Sequence, residues 1–329
     1  MVPRILLTNC YDEAPRAIVE EACETVCRKQ GVQLQLLHPK DTSRESLLER
    51  VEEADYLLIS GRQPINHELL TKATRLKMMQ RTGVGMDMMD MEEVKRFDVP
   101  VYVNAGVNAQ SVAEYTLLLI LSCLRRYPAI NNQLKSGIWK KQANGIETHQ
   151  LAGKKVGLLG LGRIGQKVAG LLQAFGAEVI YYDMFRSKEA ESRGIVYVSQ
   201  KQLLKEAEIV SLHCPLTKET RHIINKETLA AMRKDAILIN TARGSLINQE
   251  DLLKALQENQ IRAAAIDVFE KEPVTEENPL LRLENCFVSP HIGGVTRESF
   301  LQMMEKAFAN IAAFEKGNIE GIAKNRYIG

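Results

Sequence analysis

The sequence has few aromatic residues, almost no net charge and no long hydrophobic run. Aromatic residues make up 5% of its 329 residues, and 43 basic side chains against 41 acidic ones leave a formal charge of +2. A near-neutral chain gives no electrostatic reason to expect a nucleic-acid-binding protein. The longest apolar stretch runs only from Tyr115 to Leu124, and Arg125 and Arg126 close it. A membrane-spanning helix needs about 20 apolar residues, so we expect no membrane protein.

The spacing of the cysteines contains no metal or redox motif. The six cysteines include no Cys-x-x-Cys pair, and Cys23 and Cys27 have no matching second cluster. Cysteines in apolar stretches behave as small hydrophobic residues. The apolar stretch that follows Met1 is too short for a secretory signal peptide. We therefore expect a reduced, cytoplasmic protein without a metal site.

What the sequence does contain is a regular alternation of short apolar runs and helix-length amphipathic segments. The length suggests about two domains, and 45% hydrophobic and 26% charged residues are ordinary for a globular protein. The alternation predicts βαβ units, parallel sheets and an α/β fold with two units in tandem. The predicted strands are Ile5–Leu7, Leu34–Leu36, Tyr56–Ile59, Leu76–Gln80 and Val101–Val103, then Val156–Leu159, Glu178–Tyr182, Ile209–Leu212, Ala236–Ile239, Ala263–Ile266 and Cys286–Val288.

Helical segments separate and close the two series. An apolar helix is predicted from Ser111 to Leu124, followed by a second helical stretch that ends near Lys135. The polar segment 140–153 is interpreted as a connector. Near the end, Thr296 is a suitable N-cap for a final helix, and Gly317 would end it.

A glycine-rich turn begins the second series. Gly160, Gly162 and Gly165 fit the pattern GxGxxG, with a predicted strand before them and a helical pattern after them. In dinucleotide-binding folds the first glycine permits the tight turn, the second admits the pyrophosphate, and the third lets helix and strand pack closely. The helix N-terminus then offers amide groups and partial positive charge to the phosphates.

An acidic residue follows at the expected distance. Asp183 ends the next predicted strand, 18 residues after Gly165. A carboxylate there would bind the adenosine ribose hydroxyls and repel a 2′-phosphate, which favours NAD over NADP. Arg186, three residues on, could soften that preference. The alternative is a glycine-rich turn of any α/β protein, with Asp183 capping the next turn.

Three further segments with polar residues each follow an apolar strand. Carboxyl ends of parallel strands are where open α/β sheets bind ligands. These segments are Ile239–Gly244, Ile266–Pro273 and Ser289–Gly294.

Together with the glycine turn, these segments resemble the D-2-hydroxyacid dehydrogenase family. The resemblance covers nearly the whole chain, including Arg81 to Asp90 and Ser111 to Thr116. Short 3-phosphoglycerate dehydrogenases and hydroxypyruvate or glyoxylate reductases look most similar. It implies two Rossmann-like domains: a flavodoxin-like substrate domain of residues 1–100 and 294–329, and an NAD-binding domain of residues 101–293. The active site would lie in the cleft between them.

The resemblance also implies a catalytic role for three residues. Oxidation of a 2-hydroxy acid needs a base for the hydroxyl proton, and His291 would supply it. Glu272 would orient the imidazole and stabilise its charged form. Arg243 would hold the substrate carboxylate and polarise the keto oxygen. Glu270 is the competing acid, but the family pattern places the acid directly before Pro273.

Other cofactor contacts follow from the same resemblance. Asp267 would bind the carboxamide of the nicotinamide, although a buried aspartate bonded only to backbone is the alternative. His213 is interpreted as structural. The other implied contacts are the backbone of Arg163 and Ile164 at the pyrophosphate, Cys214 and Pro215 at the adenosine and ribose side, and Thr241 and Arg243 towards the nicotinamide. Further cofactor-binding residues are Ala242, Gly293 and Gly294.

Substrate contacts are expected in the glycine-containing turn after residue 81. Val84 and Gly85 would hold the substrate carboxylate, with Asn108 in support, because glycine leaves backbone amides accessible. A plain strand-to-helix turn is the alternative. If the substrate carries a phosphate, four arginines could bind it. The alternative is that these arginines form a solvated basic surface. They are Arg62, Arg81, Arg125 and Arg126.

Two broader expectations complete the prediction. A homodimer is implied, with contacts in helices at about residues 108–136, unless the apolar helix only fills its own core. The alternative function is an NAD(H)-sensing binding protein, such as a corepressor, on the same fold. A related formate dehydrogenase would need its own substrate residues.

Overall fold

The computed structural model describes residues 2–61 and 63–328, so the prediction for Arg62 lies outside the described residues. The chain divides into two compact units, Met1–Asn108 with Thr296–Gly329, and Ala109–Val295. The predicted divisions at residues 100 and 293 lie close to these. The strand Val101–Tyr102 pairs with Met78–Arg81 of the first unit, which is why the first division falls after it.

Strands and helices alternate along both units. The described strands are β1 (Arg4–Leu7), β2 (Gln35–Leu37), β3 (Tyr56–Ile59), β4 (Met78–Arg81), β5 (Val101–Tyr102), β6 (Lys155–Leu159), β7 (Glu178–Tyr182), β8 (Val196–Tyr197), β9 (Ile209–Leu212), β10 (Ile237–Asn240), β11 (Ala263–Ile266), β12 (Cys286–Val288) and β13 (Arg326–Ile328). The described helices are α1 (Glu13–Gln30), α2 (Arg44–Arg50), α3 (His67–Lys72), α4 (Met91–Arg96), α5 (Ala109–Arg125), α6 (Tyr127–Lys135), α7 (Lys141–Ile146), α8 (Arg163–Ala174), α9 (Lys188–Ser192), α10 (Gln200–Glu206), α11 (Lys226–Ala231), α12 (Gln249–Gln257), α13 (Arg297–Glu315) and α14 (Ile319–Ile322).

Each unit is built on its own sheet. In the first unit the strand order is β2-β1-β3-β4-β5-β13, in which β13 runs antiparallel to β5. Without β13 this is the flavodoxin-like order. In the second unit the order is β8-β7-β6-β9-β10-β11-β12, and the paired strands run parallel. This order continues the Rossmann arrangement, whose topological switch point lies between β6 and β9. The α/β prediction is therefore confirmed.

The central strands are apolar because helices cover both faces of each sheet. The side chains of β3 and β11 are buried throughout. In the first unit α1 packs against α13, since both present small and apolar residues at helical spacing. This contact contains Val19, Ala22, Cys23 and Val26 of α1 with Met304, Ala307, Phe308 and Ile311 of α13.

The ends of α13 agree with the sequence prediction. The Thr296 side chain accepts a hydrogen bond from the Ser299 amide and forms a capping box, and Gly317 follows the helix with φ of 74°. Other details differ. The predicted polar connector contains the exposed helix α7, and β8 and β13 were not predicted.

Residues 2–61 and 63–328 contain neither a membrane-spanning helix nor a metal-binding cluster. No helix in that part of the chain combines the length and apolar character that a membrane crossing requires. No group of three or more histidine, cysteine, aspartate or glutamate side chains there is arranged to hold a metal ion.

Candidate active site

The glycine-rich turn joins β6 to α8, and its three glycines have different physical reasons. Gly160 has φ of 98°, and a Cβ on it would lie 2.6 Å from the Cys214 amide nitrogen. A Cβ on Gly165 would lie 2.4 Å from the Gly160 carbonyl oxygen. A Cβ on Gly162 would meet no atom within 4 Å. Packing therefore requires the outer two glycines, whereas Gly162 keeps an open surface at the start of α8.

That open surface fits a dinucleotide phosphate. Helix α8 begins at Arg163 with Gly162 as its N-cap. The first amides of a helix have no acceptor within the helix and carry partial positive charge. The amides of Arg163 and Ile164 belong to this group. The turn can thus donate backbone hydrogen bonds to an anion without a side chain in the way.

Asp183 braces the same turn. Its Oδ2 accepts a hydrogen bond of 2.7 Å from the Leu161 amide, and its Oδ1 accepts one of 3.1 Å from the Phe185 amide. The carboxylate therefore joins the end of β7 to the glycine turn, and it also caps the turn after β7. Each carboxylate oxygen has a second lone pair, so ribose hydroxyls can still donate to it.

A histidine–carboxylate pair follows the carboxyl ends of β11 and β12 in the same sheet. His291 Nδ1 lies 2.9 Å from Glu272 Oε2, and Glu272 Oε1 accepts a 2.7 Å bond from the Phe269 amide. The Glu272 side chain is 14% exposed and that of His291 is 43% exposed. Because Nδ1 is engaged, Nε2 is the ring nitrogen left to face a reactant.

Asp267 fixes the segment that carries His291. It is buried, and its Oδ1 accepts bonds from the Ser289 hydroxyl at 2.6 Å and the Ile292 amide at 2.9 Å. Its Oδ2 accepts a 2.8 Å bond from the Gly293 amide, and its carbonyl oxygen accepts one of 2.7 Å from the His291 amide. The Asp267 carboxylate therefore accepts hydrogen bonds from one side-chain hydroxyl and two backbone amides. The Gly293 amide is thus already hydrogen-bonded within the protein.

Arg243 follows β10 on a turn shaped by Asn240, which the sequence analysis did not single out. The fully buried Asn240 donates from Nδ2 to the Arg243 carbonyl at 2.8 Å and accepts from the Ala242 amide at 3.0 Å. Arg243 Nη1 donates to the Ala242 carbonyl at 2.7 Å. The buried Thr241 hydroxyl is paired with Thr116 Oγ1 at 2.9 Å, so it serves packing between β10 and α5.

The Arg243 turn and the Glu272 segment touch backbone to backbone. A Cβ on Gly244 would lie 1.9 Å from the Phe269 carbonyl carbon and 2.4 Å from the Glu270 nitrogen. Only glycine permits this approach. The segments that carry the guanidinium, the carboxylate and the imidazole are thus held in one rigid group.

Comparison with known proteins gives this site its context. Residues 117–293 match the family described as D-isomer specific 2-hydroxyacid dehydrogenase, NAD binding domain. A glyoxylate reductase of Thermococcus litoralis is 38% identical over 325 residues, which cover 97% of this chain and 96% of that protein.

The chain belongs to this dehydrogenase family. A D-3-phosphoglycerate dehydrogenase of Methanocaldococcus jannaschii is 42% identical over 82% of this chain, but the match covers only 51% of that longer relative. The structure of a D-lactate dehydrogenase from Aquifex aeolicus, complexed with NAD and lactic acid, has a TM-score of 0.87 and 29% identity, and 99% of each chain is covered. The protein is an NAD-dependent D-2-hydroxyacid dehydrogenase; the binding-protein alternative is not favoured.

The residues after β9 complete the glycine turn of the dehydrogenase. Burial raises the pKa of the Cys214 thiol to about 11 and lowers the pKa of His213 to about 4. At neutral pH both side chains are therefore uncharged. His213 Nε2 lies 2.9 Å from Ser211 Oγ, which fits the structural role predicted for it. Pro215 is exposed beside Cys214.

A second histidine–carboxylate pair in the dehydrogenase was missed by the sequence analysis. His222 Nε2 and Glu270 Oε1 form a hydrogen bond, and the His222 amide donates to the Ser245 carbonyl at 2.9 Å. Glu270 had been considered only as a competitor of Glu272. No local signal pairs it with His222, because the two residues are 48 positions apart.

The proposed substrate turn lies in the first unit, directly after β4. Val84 is 51% exposed, Gly85 is partly buried, and the Gly83 carbonyl accepts a 3.3 Å bond from the Asn104 amide. Arg81 ends β4, and Asn108 ends the first part of this unit. The Asn104 side chain belongs to a network of buried amide side chains next to this turn. The network consists of Gln80, Asn104, Asn310 and Asn325.

The remaining predictions concern α5 to α7. Nine residues of α5 are buried, and five of them belong to a hydrophobic core of the second unit. Arg125 ends that helix, and Arg126 Nη1 lies 3.9 Å from Glu147 Oε2. In contrast, α6 buries no residue, and exposed apolar side chains follow one another along this region. They are Leu118, Tyr127, Leu134, Ile138, Trp139 and Ile146.

Proposed function

We propose that the enzyme interconverts a small 2-keto acid and its D-2-hydroxy acid, with glyoxylate or hydroxypyruvate as the keto acid. The observation that carries this proposal is the His291–Glu272 pair, with an engaged Nδ1 and an exposed imidazole. The backbone just before Glu272 packs against the Arg243 turn. The full-length similarity to a glyoxylate reductase supports the substrate. 3-Phosphoglycerate is the second candidate, because a phosphoglycerate dehydrogenase is similar over part of its length.

In the proposed mechanism His291 Nε2 takes the hydroxyl proton in oxidation and returns it in reduction. Glu272 stabilises the protonated imidazole and holds the ring in place. Arg243 binds the substrate carboxylate and polarises the keto oxygen through its forked donors. When bound, NAD supplies the nicotinamide that exchanges hydride with C2. Arg243 thus orients the substrate, and His291 holds the transferred proton.

We assign the cofactor residues by the same resemblance and the geometry of the second unit. Gly162 and the amides of Arg163 and Ile164 bind the pyrophosphate, and Asp183 binds the ribose. Asp267 acts by holding the His291 segment. The remaining proposed contacts are Gly160, Gly165, Cys214, Pro215, Thr241, Ala242, Gly293 and Gly294, most of which shape the backbone that faces the cofactor.

In the first unit we propose that the amides of Val84 and Gly85 bind a carboxylate. The exposed turn and the amide network beneath it support this assignment. Asn108 supports the turn, and Arg81 contributes positive charge if the substrate carries a phosphate.

The test is NADH oxidation at 340 nm with purified protein and a panel of keto acids. The panel contains glyoxylate, hydroxypyruvate, pyruvate, 2-ketobutyrate and 3-phosphohydroxypyruvate, each repeated with NADPH. We expect the highest kcat/KM with glyoxylate or hydroxypyruvate. A higher kcat/KM with 3-phosphohydroxypyruvate would contradict glyoxylate or hydroxypyruvate as the substrate and support the phosphorylated candidate. No turnover with any acid would refute this substrate class.

We further propose a homodimer whose interface extends from the region predicted at about residues 108–136 to the exposed side chains of Trp139 and Ile146. Trp139 is 77% exposed and is the sole tryptophan of the sequence. Its emission should therefore shift to the blue as protein concentration rises through the dimerisation range. Sedimentation of an Ile146→Asp variant should show monomer; a dimer with unchanged affinity would contradict this interface. Cytoplasmic location stays a prediction.

A further inference from the structure

Two charged residues follow β7, one of a type that favours NAD and one of a type that favours NADP. In dinucleotide-binding folds a carboxylate at this position binds the free ribose hydroxyls of NAD, whereas a nearby arginine accommodates the 2′-phosphate of NADP. This chain has both, Asp183 and Arg186. The position of the arginine side chain therefore bears on coenzyme specificity.

Arg186 is held by a two-point ion pair. Its Nε donates to Glu191 Oε1 at 3.0 Å and its Nη2 donates to Glu191 Oε2 at 2.7 Å. The guanidinium also lies over the ring of Tyr197, 5.0 Å from the centroid. Both contacts direct the cation towards α9 and the edge strand β8. Forked pairing of this kind restricts orientation more than a single contact does.

Glu191 is itself fixed in place. The Tyr181 hydroxyl donates to Glu191 Oε1 at 3.1 Å and accepts a 2.7 Å bond from the Ser187 amide. Tyr181 is buried and meets Tyr197 edge to face, with 5.3 Å between ring centroids. The hydrogen bond from Arg186 lowers the pKa of Glu191. The acid that holds the arginine is therefore charged at neutral pH.

We propose that Glu191 is a coenzyme-specificity residue, which withdraws Arg186 from the 2′-position of the adenosine ribose and so increases the preference for NAD over NADP. Asp183 repels the 2′-phosphate, and Glu191 removes the cation that would attract it. The inference rests on the proposed binding of that ribose at Asp183.

The expected contribution of Glu191 is modest. The Arg186 side chain is 63% exposed, and exposed ion pairs are weak because water and salt screen them. Release of the pair should change the relative affinity for a 2′-phosphorylated nucleotide by roughly three- to fivefold. This effect should shrink as ionic strength rises, since the new contact would be solvent-exposed.

The experiment compares binding of 5′-ADP and 2′,5′-ADP by calorimetry, which needs no turnover. For Glu191→Ala we expect unchanged affinity for 5′-ADP and tighter binding of 2′,5′-ADP. Glu189→Ala is the matched control, because it removes the same charge from the same helix α9 but pairs with Arg193 at 3.9 Å instead. The double variant Glu191→Ala with Arg186→Ala should lose the gain.

Three results would overturn the proposal. One is unchanged 2′,5′-ADP affinity in Glu191→Ala while 5′-ADP still binds. Another is the same gain in Glu189→Ala, which would indicate a general charge effect. The third is a gain that persists without Arg186. Glu191→Gln provides a second variant if the alanine form is unstable. Failure of the wild-type protein to bind 5′-ADP would instead refute the proposed ribose site.

Discussion

Two glutamates on one short segment of the second unit each pair with a histidine, and the two pairs differ in which ring nitrogen is bonded. Glu272 engages His291 at Nδ1, near the backbone, whereas Glu270 engages His222 at Nε2, the tip of the ring. Both histidines have a positive φ, 56° and 52°. The Nε2 atom of His291 is therefore left for a reactant, whereas the Nε2 atom of His222 is already hydrogen-bonded to Glu270.

The surroundings of the two pairs reinforce this difference. The His291 segment is anchored by the buried Asp267, and Glu272 is anchored by the Phe269 amide. The His222 pair instead ties the Ser245 region to Glu270, so it joins the Arg243 turn to the Glu272 segment. We conclude that a histidine–carboxylate pair indicates proton transfer only when the outer nitrogen is left accessible.

The largest expected effect is that of His291→Ala. Loss of the acid–base group should lower kcat by about 10²- to 10⁴-fold, while NADH affinity persists because the glycine turn is intact. Steady-state kinetics and NADH fluorescence titration measure the two quantities. His222→Ala is the control and should retain kcat within a few-fold. An equal loss in both variants would break the distinction between the pairs.

A smaller effect is expected for Glu272→Gln. The amide keeps the shape and a hydrogen bond but removes the charge that stabilises the imidazolium, and charged hydrogen bonds contribute about 1.5–3 kcal/mol. The kcat/KM should fall by roughly 10- to 100-fold. Glu270→Gln, two residues away, should leave kcat/KM nearly unchanged. If Glu270→Gln were the more damaging substitution, the catalytic acid would be misassigned.

The smallest effect on activity is expected for His213, a third histidine, which is bonded to Ser211. Burial lowers its pKa to about 4, so the unfolded chain takes up a proton below about pH 6.5 while the folded chain does not. Folding stability should therefore fall as pH decreases from 7 to 5, by about 2 kcal/mol from this group. In His213→Gln that part of the loss should be absent, with normal turnover at neutral pH. Urea unfolding at both pH values measures it, and an identical pH dependence in both proteins would contradict the pKa assignment.

Much of the fold follows from local pattern, because strands buried on both faces form apolar runs with turn signals around them. The central strands and the capped helix α13 were predictable for that reason. The short edge strand β8 is partly exposed and has no such run. Strand β13 pairs with β5, more than 200 residues earlier in the chain. Such long-range pairing leaves no local signal.

The site divides in the same way. The glycine turn and the segments that carry Arg243, Glu272 and His291 were recognisable as continuous motifs. The roles of the residues that hold them were harder to predict. Thr116 and the His222–Glu270 pair bond between distant segments, and the side chain of Asn240 bonds within its own turn. The structure also gives Asp267 a bracing role that its position in a motif did not decide.

The order of the chain has a consequence for its synthesis on the ribosome. The second unit is a continuous stretch, Ala109–Val295, whereas the first unit needs both its early residues and Thr296–Gly329. The face of α1 that packs on α13 therefore waits, uncovered, while the whole nucleotide-binding unit emerges and folds. The unit that is made first is therefore completed last, and its apolar helix face is exposed to the solvent during that interval.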